Sequence, residues 1–342
     1  MALRVVLATC CVVGGARAAA AQASTQQPAS ILFFPKVVVD ATHDTVIQIT
    51  NATNSAREAR CVYLDGAPTA DGPPRCAQTN FDLQLVGRQT ALWVLSAGQR
   101  STSGAVVGEI QQPLRLVPPM APGFAGALVC VEVDAAGSPV PGNALIGTAT
   151  LQHPTTGDVA QYDALGVQGG DNNDGNDVLC LGDVLSEECP NGAEYDGCPG
   201  QWTLDFVAEG AADALAGPGS SVGTELTVMP CAQNFRLSNS PGVTLEFSVY
   251  NEFETLFGAS TSMGCWATPT LTEINDSAFS AAGLGTLHAR AVVRLGEGGA
   301  GFVLVAQEFH AVAGAPAASA ATVPHLDPAS ALADVVTLPP IP

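Results

Sequence analysis

Few residues in this 342-residue chain have the type and spacing to do chemistry. Gly219-Ser-Ser-Val-Gly223 matches the G-x-S-x-G pattern of hydrolases. That mechanism needs a strand before the serine and a helix after it, so that a strained turn exposes the hydroxyl. Here Pro218 and an alanine-rich loop precede Ser221 and a strand pattern follows, which argues against a nucleophile. His43, His153, His288, His310 and His325 are scattered, with no His-x-x-x-His or His-Glu pair to hold a metal. Glu252 and Glu254 are close in sequence, but no partner across a cleft is visible, so a solvated loop explains them.

One stretch suits a cation. Asp171-Asn-Asn-Asp-Gly-Asn-Asp177 gathers hard oxygen donors around a glycine, the set that Ca²⁺ prefers. Asp171, Asn173, Asp174 and Asp177 are the candidate ligands, and calcium is the one cofactor the sequence suggests. The register is wrong for an EF-hand, because aligning Gly175 puts Gly170 at the first Asp position and Leu181 at the final Glu. A polar, Asx-rich turn accounts for the same residues.

Met1-Ala-Leu-Arg4, an apolar run from Val5 to Val13, and the small-residue site Ala21-Gln-Ala23 have the form of a secretory signal peptide over residues 1–23. The apolar run is too short to span a bilayer, and no later stretch is long and apolar enough. The expected address is periplasm, cell surface or medium. Cys10 and Cys11 leave with the leader. Cys61, Cys76, Cys130, Cys180, Cys189, Cys198, Cys231 and Cys265 remain as disulfide candidates. An even number in an exported chain points to disulfides, and the paired spacings of a metal site are missing. Cys61 and Cys130 lie in strand patterns and suggest an inter-sheet bridge, with a local Cys61–Cys76 closure as the alternative, leaving Cys130 for Cys198. Cys231–Cys265 and Cys180–Cys189 are the other expected staples.

The net charge of −20, with 32 acidic against 12 basic residues, argues against nucleic acid and anionic membrane partners. Lys36 is the only lysine.

The elements that position these residues read as strands. In Val243-Thr-Leu-Glu-Phe-Ser-Val-Tyr250 apolar and polar residues alternate, the mark of a strand with one buried face. Leu226-Thr-Val-Met229 reads as its neighbour. Ile31 to Val39 is interrupted by Pro35, which suits an edge strand or one that switches sheets. Further strands read from Phe81–Leu85, Ala91–Leu95, Leu114–Val117, Ala127–Val133, Leu145–Leu151, Trp202–Val207, Thr286–Leu295 and Phe302–Ala306, with Gly296–Gly301 as a hairpin loop before the last. Short strands at this spacing, separated by Gly/Pro turns and with no helical period, predict β-sandwiches.

The segment DTVIQITNATNSAREARCVYLDG, Asp44 to Gly66, resembles the second and third strands of bacterial immunoglobulin-like domains in exported and surface proteins. More loosely, the chain resembles a family of uncharacterised secreted bacterial proteins. The resemblance implies a sandwich and no particular activity.

The expectation is an all-β chain of two immunoglobulin-like β-sandwich domains joined by an acidic, Cys-rich loop. Its parts are a signal peptide (1–23), a polar leader (24–30), domain one (31–153), the connection (154–200), domain two (201–312) and an Ala/Pro-rich tail (313–342). The leading function is a non-catalytic structural or adhesive protein at the surface or outside the cell, with protein or glycan partners and self-association. The first alternative is a ligand-binding module for a sugar, peptide or protein, with Trp93, Trp202 and Trp266 as platforms. The second is a secreted hydrolase using Ser221.

Overall fold

The computed structural model describes residues 23–69, 72–99, 116–184, 186–212, 219–237, 242–296, 300–312, 315–327 and 330–339. The leader is therefore almost wholly outside the described residues, as are Leu114 and Arg115. Strands dominate. The first nine are β1 (Ile31–Val39), β2 (Asp44–Asn51), β3 (Arg57–Asp65), β4 (Ala77–Leu85), β5 (Thr90–Val94), β6 (Phe124–Val133), β7 (Leu145–Gln152), β8 (Val159–Asp163) and β9 (Leu165–Val167). They form one hydrogen-bonded path, β4-β3-β6-β1-β2-β7-β8, with β5 on β2 and β9 on β1.

β1 meets β2 only at Val39 and Asp44, so the path bends there into two leaves. Leu32, Phe34 and Val37 of one leaf share a core with Ile47, Ile49, Trp93 and Tyr162 of the other. The opposite face of the β1 leaf is also covered. Ile31, Phe33, Val62, Leu64, Val129 and Val131 pack in a second cluster with Trp202, Leu204, Phe247 and Val293 from the far half of the chain. Burial on both faces is why β1 reads as a continuous apolar run rather than an alternation.

The remaining strands are β10 (Val178–Leu181), β11 (Cys198–Pro199), β12 (Gln201–Val207), β13 (Ser220–Pro230), β14 (Gln233–Asn234), β15 (Val243–Asn251), β16 (Leu256–Met263), β17 (His288–Leu295), β18 (Phe302–Val312), β19 (Ala315–Thr322), β20 (His325–Leu326), β21 (Ala331–Leu332) and β22 (Asp334–Thr337). One sheet runs β16-β15-β17-β12-β20 and another β13-β18-β19. β15 buries Val243, Leu245, Phe247 and Val249 as its alternation predicts. Leu226–Met229 is not its neighbour but part of β13, which pairs with β18 in the other sheet. β17 and β18 belong to different sheets, so the strands that flank Gly296 and Gly301 are not a hairpin pair.

Two further expectations change. The 154–200 segment is not only loop: β8, β9, β10 and β11 pair with β7, β1, β22 and β21. In the 313–342 segment, β22 adds antiparallel to β10 and parallel to β14. Two helices, α1 (Leu271–Phe279) and α2 (Ala281–Leu284), join β16 to β17. The first carries a capping box between Thr270 and Glu273. Among the described residues no helix is long and apolar enough to cross a membrane.

All eight candidate cysteines are bridged: Cys61–Cys130, Cys76–Cys265, Cys180–Cys189 and Cys198–Cys231. Cys61–Cys130 is not an inter-sheet bond. The two residues sit opposite each other on adjacent strands β3 and β6, with Cα atoms 4.1 Å apart. The expected Cys231–Cys265 staple does not form: Cys231 bonds Cys198 at a sequence separation of 33, and Cys265 bonds Cys76 at a separation of 189.

Candidate functional site

The site begins with an irregularity in β1. Its pairing with β6 shifts register between Phe34 and Val37, a bulge that holds Pro35 and Lys36. Proline has no N–H to leave unpaired there, so Pro35 marks a bulge inside a central strand rather than an edge. Aromatic side chains take up the displaced backbone groups. The Tyr162 hydroxyl accepts from the Lys36 N–H (3.0 Å) and donates to the Lys36 carbonyl (2.5 Å), while Trp266 Nε1 donates to the Pro35 carbonyl (2.7 Å). Full burial drives the Tyr162 pKa far above its ordinary value, which keeps that hydroxyl a neutral donor.

The bulge turns the Lys36 side chain toward β13. Its ammonium pairs with the Glu225 carboxylate and stands 5.7 Å from the Phe309 ring centroid. Glu225 Oε1 also accepts from Thr268 Oγ1 at 2.7 Å. Lys36 is 5% exposed, and desolvation lowers its pKa against the opposing pull of Glu225 and Asp40. These groups line a cavity of about 190 Å³ together with Trp266, Gln307, Val38 and Leu151. The β1–β2 turn rims it. Burial alone would raise the Asp40 pKa, but hydrogen bonds from Thr42 and His43 outweigh that and hold it low. Gln307 is 1% exposed, and its Nε2 has no hydrogen-bond partner among the described residues. The floor is therefore a charge-compensated ion pair with spare donors and aromatic walls.

Ser221 lies inside β13, opposite Ala311 of β18, on a regular antiparallel ladder. The strand–turn–helix that a serine nucleophile requires is not formed at residues 219–223. Glu252 and Glu254 sit exposed in the β15–β16 turn, where Asn251 Oδ1 accepts from the N–H groups of Phe253 and Thr255. His288 is exposed beside Arg290 on β17, and both border an open hollow with Asp205 and Tyr250. His43 and His153 meet edge to face with ring centroids 5.8 Å apart. His310 Nε2 lies 3.0 Å from a Glu308 oxygen. His325 is exposed on β20. None of the three tryptophans forms an exposed platform, since Trp93, Trp202 and Trp266 are 2%, 0% and 4% exposed; Trp266 instead lines the cavity beside Lys36.

In the acidic loop, Asn173 Oδ1 accepts from Gly175 N–H and Asp174 Oδ1 from Asn176 N–H, so successive Asx turns use these oxygens locally. Asp177 is drawn elsewhere, between Arg60 Nη1 (3.2 Å) and Arg236 Nη2 (2.8 Å). Asp171 is exposed. Among the described residues no three His, Cys, Asp or Glu side chains are grouped to hold a metal. Beneath the loop, Glu194 accepts from the N–H groups of Asp174 and Cys180, and desolvation raises its pKa.

Lys36, Glu225 and Gln307 had no motif to announce them. The available signal was a lone lysine beside a proline in an otherwise apolar strand, a charge that must be buried and paired if the strand is central.

No protein-family model and no curated protein matches the chain. Among solved structures it is similar to red sea bream transglutaminase at 8% identity and a TM-score of 0.16, over 90% of this chain and 31% of that one. The chain thus spans about a third of that protein's length, and a likeness this weak carries no argument about fold or activity.

Proposed function

We propose that this is an exported, non-catalytic protein that serves as a structural or adhesive element in the periplasm, at the cell surface or outside the cell. The observation that carries the reading is the Cys76–Cys265 bridge, which ties positions 189 residues apart and locks the two halves together. A chain with four disulfides is completed where thiols oxidise, which supports export and agrees with the leader-like start. The pair of leaves around Leu32, Ile47 and Trp93 supports immunoglobulin-like sandwiches as the building unit. Light scattering on a sizing column, with Ca²⁺ and then with EDTA, tests the role. Large assemblies are expected, and their dissolution in EDTA would put the Asp171–Asp177 loop at the contact. A monomer indifferent to both would overturn the structural reading.

A second reading, a module for a small ligand, is favoured by the Lys36 cavity. The hollow on the outer face of β12, β15 and β17, about 450 Å³ and bordered by Tyr250, His288 and Arg290, is wide and open by comparison.

A further inference from the structure

We propose that the cavity between the β1 bulge and the β13–β18 ladder binds a small, neutral, oxygen-rich molecule of up to monosaccharide size. Gln307 and Lys36 would be its hydrogen-bond donors, and Trp266 and Phe309 its walls. The inference deepens the ligand-binding reading above and rests on it.

Hydrogen-bond accounting carries the argument. Folded proteins rarely leave a buried donor unmade, and one that persists calls for an explanation. Gln307 Nε2 is such a donor, on a side chain that lines the cavity. Beside it, the Lys36 ammonium has three N–H groups, and Glu225 is its one hydrogen-bond acceptor among the described residues. Both groups want an acceptor oxygen.

Charge narrows the ligand. Lys36 and Glu225 compensate each other, and Oδ1 of the Asp40 carboxylate accepts from Thr42 N–H (2.6 Å), Thr42 Oγ1 (2.7 Å) and His43 N–H (2.7 Å). A cation would have to sit beside the Lys36 ammonium. An anion would sit beside Glu225 and Asp40 in a chain of net charge −20. Hydroxyl or carbonyl oxygens avoid both penalties. Apolar walls with a few fixed polar groups are how small-molecule sites are ordinarily built. The volume, about 190 Å³, holds roughly six waters at their liquid density, enough for a polyol or one sugar ring. Asp40 and Thr42 are exposed at the rim, which gives the ligand a way in.

Because Lys36 is the only lysine, protein labelled with ¹³C-lysine gives one Cε resonance, a local reporter of the cavity floor. Oxidised protein is titrated with glycerol, xylose, glucose, galactose and N-acetylglucosamine to tens of millimolar, with acetate and ammonium ions as charged controls. The expected result is a saturable shift of that resonance with at least one neutral probe, accompanied by a change in tryptophan emission. Gln307→Leu keeps the volume and removes the idle donor. It should raise the thermal midpoint while weakening the titration by about tenfold or more. The proposal is overturned if no neutral probe gives a saturable shift, if acetate or ammonium acts more strongly, or if Gln307→Leu binds as well as the parent. These readouts are independent of assembly, so their failure leaves the structural reading to its own test.

Discussion

Lys36 and Glu225 show what a buried ion pair demands of its surroundings. Removing one partner strands the other, whereas replacing both with apolar side chains removes the demand altogether. Lys36→Met should therefore cost about 2–4 kcal/mol, at the low end of the range for buried pairs because the Glu225 side chain keeps 24% of its exposure. Lys36→Met/Glu225→Met should recover most of that loss. Urea unfolding of the two single variants and the double variant gives the coupling directly, and additive effects would mean that the two side chains do not depend on each other. Trp266 is constrained from another side. A Cβ placed on Gly66 would lie 2.4 Å from its ring, so Gly66→Ala must push the indole off the Pro35 carbonyl. The expected outcome is a loss of about 1–3 kcal/mol with a red-shifted tryptophan emission.

At the scale of elements, the Cys76–Cys265 bond closes a long loop between the β3–β4 connection and the segment after β16. Chain-entropy reasoning puts its contribution at about 5 kcal/mol as an upper bound, since the other bridges already restrict the unfolded chain. Cys76→Ala/Cys265→Ala should lower stability by about 3–5 kcal/mol in guanidinium unfolding. A negligible change would show that packing alone holds the halves. Strand identity was legible wherever a strand has one wet face, as Val243–Asn251 shows, because a period of two survives there. Sheet membership was not legible. β13 and β15 look alike as strings, and only long-range pairing separates them. The Pro35 bulge was half visible: the proline marked a break in pairing, but a strand covered on both faces carries no alternation to say which sheet it belongs to. The first helix had a local signal in Thr270-x-x-Glu273, masked by its short apolar face. Gln307 left no signal, since its idle donor exists only once β18 is packed.

For the whole molecule, acidity and burial act in the same direction. Desolvation is the leading cause that raises Glu132 and Asp334 to about 7 and Asp196 to about 6. Each is protonated more readily folded than unfolded, so the folded state binds extra protons between the ordinary carboxylate range and those values. Stability contributed this way is full at about pH 4 and is lost as pH rises toward 7. Repulsion within a chain of net charge −20 grows along the same path. Thermal midpoints measured from pH 5 to pH 8 should fall. Glu132→Gln, which replaces a carboxylate that accepts from the Ala144 N–H at 3.1 Å, should flatten the fall. A midpoint that climbs with pH would sink this account.

β22 adds a temporal dimension. It lies between β10 and β14, antiparallel to the first and parallel to the second, and both precede it by a long stretch of chain. Whatever delivers the polypeptide from its N-terminal side hands over those two strands well before the one that joins them. That three-stranded sheet therefore cannot close until Asp334–Thr337 arrives, and β10 and β14 wait for their shared neighbour while the nine-stranded sheet is already complete in sequence by Val167. Cutting the chain just before Asp334 should leave Val178–Leu181 open to rapid amide hydrogen exchange, and protection as slow as in the full chain would show that those strands close without it.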